Sequence, residues 1–171
     1  VGSRDLYDWA ADNPGLASCP VNYTNSPEIM GQNDNLVTIN SCIEADFYGQ
    51  VSSESSSTRQ ISGTGGQLDF VNGSFVSNGG KSFICMASTY EDKESGEVRS
   101  RILPALPQGE VVTAPRSQVH QLVTEWGSAV LVGCSKKERC ERIIGLAHPD
   151  FRDALSGEAE RLGLLRRSMG R

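Results

Sequence analysis

The stretch Ser135-Lys136-Lys137-Glu138-Arg139-Cys140-Glu141-Arg142-Ile143-Ile144-Gly145-Leu146-Ala147-His148-Pro149 decides the class of fold. It opens with a capping box: the Ser135 hydroxyl can accept from the Glu138 backbone N–H while the Glu138 carboxylate reaches back to the N–H of Ser135. Cys140, Ile143, Ile144 and Ala147 then fall at i, i+3, i+4 and i+7, one apolar stripe along a helix. His148-Pro149 breaks it, and Phe151, Ala154, Leu155, Ala159 and Leu162 mark a second helix beginning near Asp150. The spans expected are 135–148 and 150–163. Upstream, the pattern changes to short apolar runs punctuated by Gly, Pro and Ser. Strands are expected at 16–21, at 36–39 (a buried β-branched strand), as a pair within 47–61, and at 81–87, 99–103, 111–113 and 121–126. A charged turn occupies 91–97. Two further helices are expected, one over 4–13 and one opened by Ser26 as N-cap with Pro27 at its first position. Many short strands followed by paired helices predict an α/β fold, an open mixed β-sheet flanked by helices.

The wider composition narrows the function. The chain has 171 residues, 37% of them hydrophobic, with a net charge of −5. That size supports one domain with a real core, and the negative charge argues against nucleic acid as a partner. The longest apolar runs are only a few residues, such as Ala129-Val130-Leu131-Val132, so no transmembrane helix and no membrane partner are expected. The opening Val1-Gly2-Ser3-Arg4-Asp5 is no secretory signal, which places the protein in the cytoplasm, or in the mitochondrial matrix of a eukaryote. Five cysteines form no CxxC pair and only His120 and His148 accompany them, so no metal site emerges and the thiols are expected to be reduced packing residues. Charge is uneven: residues 134–171 carry nine bases against six acids. Lys136, Lys137, Arg139 and Arg142 are expected on a solvated helix face.

Chemistry concentrates in Ser62-Gly63-Thr64-Gly65-Gly66-Gln67-Leu68-Asp69-Phe70. Three glycines in four positions let the backbone approach a ligand closely, and Gln67 onward can open a helix. Unpaired N–H groups and the helix dipole there favour an anion or oxyanion. The pattern is neither the dinucleotide fingerprint nor the P-loop.

Around this loop stand Thr24-Asn25-Ser26-Pro27-Glu28, Ile39-Asn40-Ser41-Cys42-Ile43-Glu44-Ala45-Asp46, Gly49-Gln50-Val51, Gly79-Gly80-Lys81-Ser82, Ser100-Arg101-Ile102, Thr113-Ala114-Pro115-Arg116, Val123-Thr124-Glu125-Trp126-Gly127 and Ala147-His148-Pro149-Asp150-Phe151-Arg152. In this order they resemble the C-terminal domain of the acetyl-CoA hydrolase/transferase family, which includes acetate and 4-hydroxybutyrate CoA-transferases. The resemblance implies a CoA-transferase-like domain over 1–171 and an enzyme whose substrates are an acyl-CoA and a small carboxylate. It implies that a glutamate carboxylate attacks the acyl-CoA, that a glutamyl-CoA thioester follows, and that each step passes through a tetrahedral oxyanion. The nucleophilic glutamate is expected upstream of Val1, in a segment this chain lacks together with the N-terminal domain, so the fragment alone is expected to be inactive. An acetyl-CoA hydrolase and a non-catalytic CoA-binding or assembly module are the alternatives, and the whole enzyme is expected to be a homo-oligomer.

The resemblance places oxyanion and CoA contacts at Gly63, Gly65 and Gly66. Asn40 is expected to join them, and Asn25 to orient the substrate through its amide. Glu44 and Glu125 are expected to be structural, Glu44 as a carboxylate hydrogen-bonded at a strand end. His120 and His148 are expected at a helix C-cap or in the core.

Overall fold

In a computed structural model that describes residues 2–165, the capping box forms as the sequence requires. Ser135 Oγ accepts from the Glu138 N–H at 3.3 Å, and the Glu138 carboxylate accepts from the Ser135 N–H at 2.9 Å. In chain order the elements are α1 (Arg4–Ala10), α2 (Val21–Thr24), α3 (Pro27–Met30), β1 (Val37–Ser41), β2 (Glu44–Asp46), β3 (Val51–Ser52), β4 (Ser55–Ser56), β5 (Arg59–Gln60) and α4 (Gln67–Val76). There follow β6 (Lys81–Cys85), β7 (Thr89–Glu91), β8 (Val98–Ser100), β9 (Ile102–Leu103), β10 (Gln121–Thr124), β11 (Gly127–Val130), α5 (Lys136–Gly145) and α6 (Pro149–Arg161).

The main sheet is mixed, in the order β1-β6-β10-β11, with β1, β6 and β10 parallel and β11 returning antiparallel to β10. A second small sheet, β3-β2-β9, stands beside it, and two ribbons, β4-β5 and β7-β8, project from the connections. The open mixed sheet flanked by helices is therefore the fold observed.

Alternation along the strands positions the core. Ile84 of β6, Leu122 of β10 and Ala129 of β11 share one face, where Cys140, Ile143 and Ile144 of α5 are buried in the same cluster. Phe47, Val51 and Ile102 join it from the second sheet and its flanks. The Thr124 hydroxyl donates to the Leu146 carbonyl at 2.7 Å and fastens β10 to the end of α5. Burying some twenty apolar side chains this way supplies the main stabilisation, at about 25 cal/mol per Å² of apolar surface.

Four expectations are corrected. Residues 16–21 form no strand: 16–20 are exposed coil and α2 begins at Val21. The strand at 36–39 exists as β1, but Val37 and Ile39 are 54% and 72% exposed while Thr38 is buried. β1 is a sheet edge, and period-two alternation turns its two branched apolar side chains to the face away from α4. Residues 111–113 stay out of the sheets, with Val111 and Val112 exposed and only an isolated bridge from Ala114 to Val51. His148 is the N-cap of α6 rather than a C-cap, its Nδ1 accepting from the Asp150 N–H at 3.3 Å. The strand expected over 99–103 is real but divides at Arg101 into β8 and β9.

Candidate active site

Parallel strands carry their ligands at their C-terminal edge, where the connecting loops diverge. Here that edge is the end of β1 at Ser41, of β6 at Cys85 and of β10 at Thr124. Because α4 returns to the start of β6 through 77–80, its own N-terminus lies at that same edge, fed by the glycine loop.

The loop is open. Gly63 and Gly65 have nothing within 4 Å of the position a Cβ would take, and Gly65 has φ +60°, a conformation side chains disfavour. Among the described residues no acceptor meets the backbone N–H of Gly63, Thr64, Gly65 or Gly66. Gly66 is the N-cap of α4 and no side chain caps it. The first N–H groups of a helix lack internal partners, so the loop and α4 together present a row of free donors backed by the helix dipole.

Asn25 stands directly on Gly66: a Cβ there would strike its Nδ2. The Asn25 Oδ1 accepts from the Thr24 hydroxyl at 3.2 Å, which turns the amide nitrogen toward the loop. Asn40, next to last in β1, has a buried Nδ2 without a hydrogen-bond partner, and so does Gln67 Nε2 at the first position of α4. A buried donor without an acceptor costs about 1–3 kcal/mol, so two of them at one sheet edge form an environment that an acceptor would complete. Gln67 is a functional candidate that sequence reasoning quoted only as a helix opener.

Beyond the loop a cleft of about 460 Å³ runs between the two ribbons, lined by Ile43, Glu44, Arg59, Ile61, Tyr90 and Arg101 among others. Arg101 organises it. Its Nη1 donates to the Ile43 carbonyl at 3.0 Å, its Nε to the Thr89 carbonyl at 3.3 Å, and its guanidinium lies 4.9 Å from the centre of the Tyr90 ring. Sequence reasoning matched Arg101 in a motif without giving it a task. The interruption of the strand at Arg101 between β8 and β9, visible only in three dimensions, is what turns this side chain inward.

Glu44 is 6% exposed, and its Oε2 is buried without a donor. Burial, then the neighbouring Glu110, push its carboxyl from 4.5 up to about 7, against the pull of Arg101. Glu125 behaves as expected. It accepts from the Ser88 N–H at 2.8 Å and the Ser88 hydroxyl at 2.5 Å, and the Trp126 indole donates to that hydroxyl at 3.1 Å.

The remaining candidates divide. Burial pushes the Cys42 thiol up to about 12 and Cys140 up to about 11, so neither supplies a thiolate near neutrality. Cys19 is exposed rather than packed. His120 stacks on Phe75 with ring centroids 5.4 Å apart, and burial followed by Lys81 lowers its pKa. The basic face of α5 is only partly solvated. Arg139 donates to the carbonyls of Tyr48, Arg116 and Leu131, and Arg142 to that of Val130 at 2.6 Å. Arg166, Arg167 and Arg171 lie outside the described residues. No group of three or more metal-ligating side chains occurs among the described residues, and none of their helices is long and apolar enough to cross a membrane.

An open mixed sheet with a glycine loop entering an uncapped helix at the C-terminal edge of its parallel strands defines an α/β domain with exposed backbone donors at that edge. The chain belongs to the acetyl-CoA hydrolase/transferase family: residues 2–159 match the acetyl-CoA hydrolase/transferase C-terminal domain. It is 55% identical over 168 residues to a probable butyrate:acetyl-CoA coenzyme A-transferase of Syntrophomonas wolfei, covering 98% of this chain and 37% of that protein. It is 28% identical over 140 residues to an acetyl-CoA hydrolase of Kluyveromyces lactis, covering 81% and 25%. The crystal structure of RipA from Yersinia pestis superposes with a TM-score of 0.85 at 44% identity, covering 96% of this chain and 36% of that one. The chain thus spans little more than a third of the length of the relatives it matches.

Proposed function

We propose that this chain is the C-terminal part of an enzyme that moves CoA between an acyl-CoA thioester and a free carboxylate such as acetate. The observation that carries the reading is the row of unpartnered N–H groups over 63–66 at the uncapped start of α4, in a chain of this family. A glutamate carboxylate, placed upstream of Val1, attacks the thioester carbonyl and expels CoA thiolate, leaving an acyl-glutamyl anhydride. The thiolate attacks the glutamyl carbonyl and releases the first carboxylate, leaving glutamyl-CoA. The acceptor carboxylate then runs the two steps in reverse.

Each addition puts negative charge on a carbonyl oxygen, and the N–H groups of Gly63, Gly65 and Gly66 are prearranged to receive it without reorganisation. Asn40 supplies a further donor toward oxyanion or CoA, and Asn25 holds the loop and orients the substrate. The N-terminal domain of the same enzyme completes the site, in a cytoplasmic homo-oligomer. Relatives named as hydrolases support a second outcome, in which water resolves glutamyl-CoA.

The test uses the full-length protein. After incubation with acyl-CoA, borohydride reduction followed by peptide mass spectrometry should mark one glutamate upstream of Val1. CoA transfer should require an added carboxylate, and the 171-residue chain alone should turn nothing over. Labelling of Glu44, or turnover by the chain alone, overturns the placement of the nucleophile. CoA release independent of carboxylate selects the hydrolase.

A further inference from the structure

We propose that a cavity at the edge of the main sheet opposite the glycine loop binds a phosphate monoester through Arg116, Lys136 and Arg139, at a site separate from acyl transfer.

Topology puts the cavity at that edge. The glycine loop and Asn40 stand where β1, β6 and β10 end. Residues 116–117 precede β10, and because β11 runs antiparallel to β10, residues 131–134 follow it at the edge where β10 begins. α5 starts there too, with Lys136 as its first residue. These stretches and the turn after β2 border a cavity of about 360 Å³, lined by Tyr48, Arg116, Ser117, Cys134, Lys136 and Arg139.

Its charge is one-sided. Three of the lining residues are cations and none is an acid. Among the described residues the exposed side chains of Arg116 and Lys136 meet no carboxylate and no hydrogen-bond acceptor. The acids of the first turns of α5 are engaged elsewhere: Glu141 pairs with Lys137 at 3.6 Å, and the capping box turns Glu138 back on Ser135. Since that box closes the helix end, the positive field of the cavity comes from side chains and not from free helix N–H groups.

Arg139 is the fixed member. Its Nη1 donates to the carbonyls of Arg116 at 2.6 Å and Tyr48 at 3.3 Å, and its Nη2 to that of Leu131 at 2.8 Å. Gly49, at φ +82°, makes room for it, because a Cβ there would lie 2.9 Å from Nη1. A guanidinium has five N–H donors, so three bonds leave 5 − 3 = 2 for a ligand. The bond to the Arg116 carbonyl also holds a second guanidinium close to the first. Burial and then that neighbouring charge lower the Arg139 pKa. Like charges at one wall repel, and an anion between them replaces that repulsion with attraction.

The class of ligand follows from this set of donors. A phosphate monoester carries close to two negative charges at neutral pH and three acceptor oxygens, which suits two forked guanidiniums and an ammonium. A carboxylate brings one charge and leaves a cation unanswered. At about 360 Å³ the cavity falls within the range of small-molecule sites, roughly 300–1,000 Å³, and takes more than a bare phosphate. Tyr48, half-buried against the core, supplies a less polar wall for the organic part. CoA also carries phosphate groups, but the loop that receives its thioester lies at the other edge of the sheet, which favours a free phosphate ester here.

Cys134 provides the readout. It is half-buried in the cavity wall, its Sγ donating to the Val130 carbonyl at 3.4 Å, and its alkylation by iodoacetamide can be followed by peptide mass spectrometry. In the full-length protein, inorganic phosphate at about ten times its dissociation constant should slow that alkylation about tenfold, because only unoccupied molecules react. Chloride at matched ionic strength should not. Arg116→Gln combined with Lys136→Gln removes two cations whose side chains hold nothing else among the described residues, so the urea midpoint without phosphate should be unchanged. Arg139 is left in place because it ties three carbonyls. In the double variant phosphate should neither protect Cys134 nor raise the thermal midpoint, as it does in the wild type. Equal slowing by chloride, protection kept in the double variant, or a Cys134 that never reacts in the folded full-length protein overturns the site. Protection by CoA, with none by dephospho-CoA or inorganic phosphate, assigns the cavity to CoA itself and overturns the separate site. Alkylation needs no turnover, so this outcome is independent of the transferase reading.

Discussion

Two helices of this domain begin in opposite ways. α5 starts with Ser135 and Glu138 satisfying each other's backbone N–H groups, so its N-terminus is closed by its own side chains. α4 starts at Gly66 with no side chain in the capping position and a run of loop N–H groups free of acceptors. The first has a buried apolar stripe that completes the core, and the second stands at the ligand edge of the sheet. The contrast separates a helix end that serves stability from one kept available for charge. Leaving α4 open costs little, because a glycine N-cap is only a few tenths of a kcal/mol poorer than serine.

The comparison breaks first if α5 is not what holds the core. Ile143 is fully buried beneath the main sheet. Ile143→Ala removes three methyl or methylene groups and leaves a cavity, so urea unfolding should show about 2–5 kcal/mol less stability. An unchanged midpoint would dissolve the distinction between the two helices.

The next largest effect belongs to the open end. Gly66 has φ −101°, so a valine there suffers no left-handed strain. Its Cβ instead drives against the Asn25 amide and occupies the space in front of the free donors. Gly66→Val in the full-length enzyme should lower kcat by about 10²-fold, the scale of one lost oxyanion donor, with the unfolding midpoint kept. Gly63→Ala sharpens this, since nothing of the protein lies within 4 Å of its Cβ. A smaller loss of kcat/KM at Gly63→Ala, with stability unchanged, reports the approach of the ligand itself. Wild-type kinetics in both variants would remove the loop from the reaction.

What was legible in the sequence follows the range of the interactions. The capping box and the α5 stripe depend on neighbours within a turn or two and stand where the pattern put them, whereas in α6 Leu155 and Ala159 are buried but Ala154 and Leu162 are exposed. The glycine loop was legible because its composition states a backbone requirement. Residues 16–21 and 111–113 have strand-like composition but join no sheet, 16–20 lying as exposed coil and the second stretch reaching β3 only through the isolated bridge of Ala114 to Val51, so propensity alone misled. The exposure of Val37 and Ile39 depends on β1 being an edge, which only the strand order β1-β6-β10-β11 discloses. Arg101 carried a motif but no role until the break between β8 and β9 turned it toward Ile43 and Thr89.

The smallest expected effect tests the closed end on its own terms. Ser135→Ala removes the hydroxyl that accepts from Glu138 N–H, and it leaves Glu138 holding one half of a reciprocal pair. Loss of an N-cap costs about 1 kcal/mol, whereas Ser135→Gly should cost only a few tenths, because glycine lets water reach the freed N–H groups. Charge is untouched in both variants, and the first turn keeps Glu138, whose carboxyl the Ser135 contacts hold below the usual range. Urea midpoints of the two variants should therefore order as wild type, Ser135→Gly, Ser135→Ala, while kcat per folded molecule in the full-length enzyme stays unchanged. A fall in kcat at Ser135→Ala comparable to that at Gly66→Val would mean that the capped end also serves the ligand, and that capping does not divide the two helices by function.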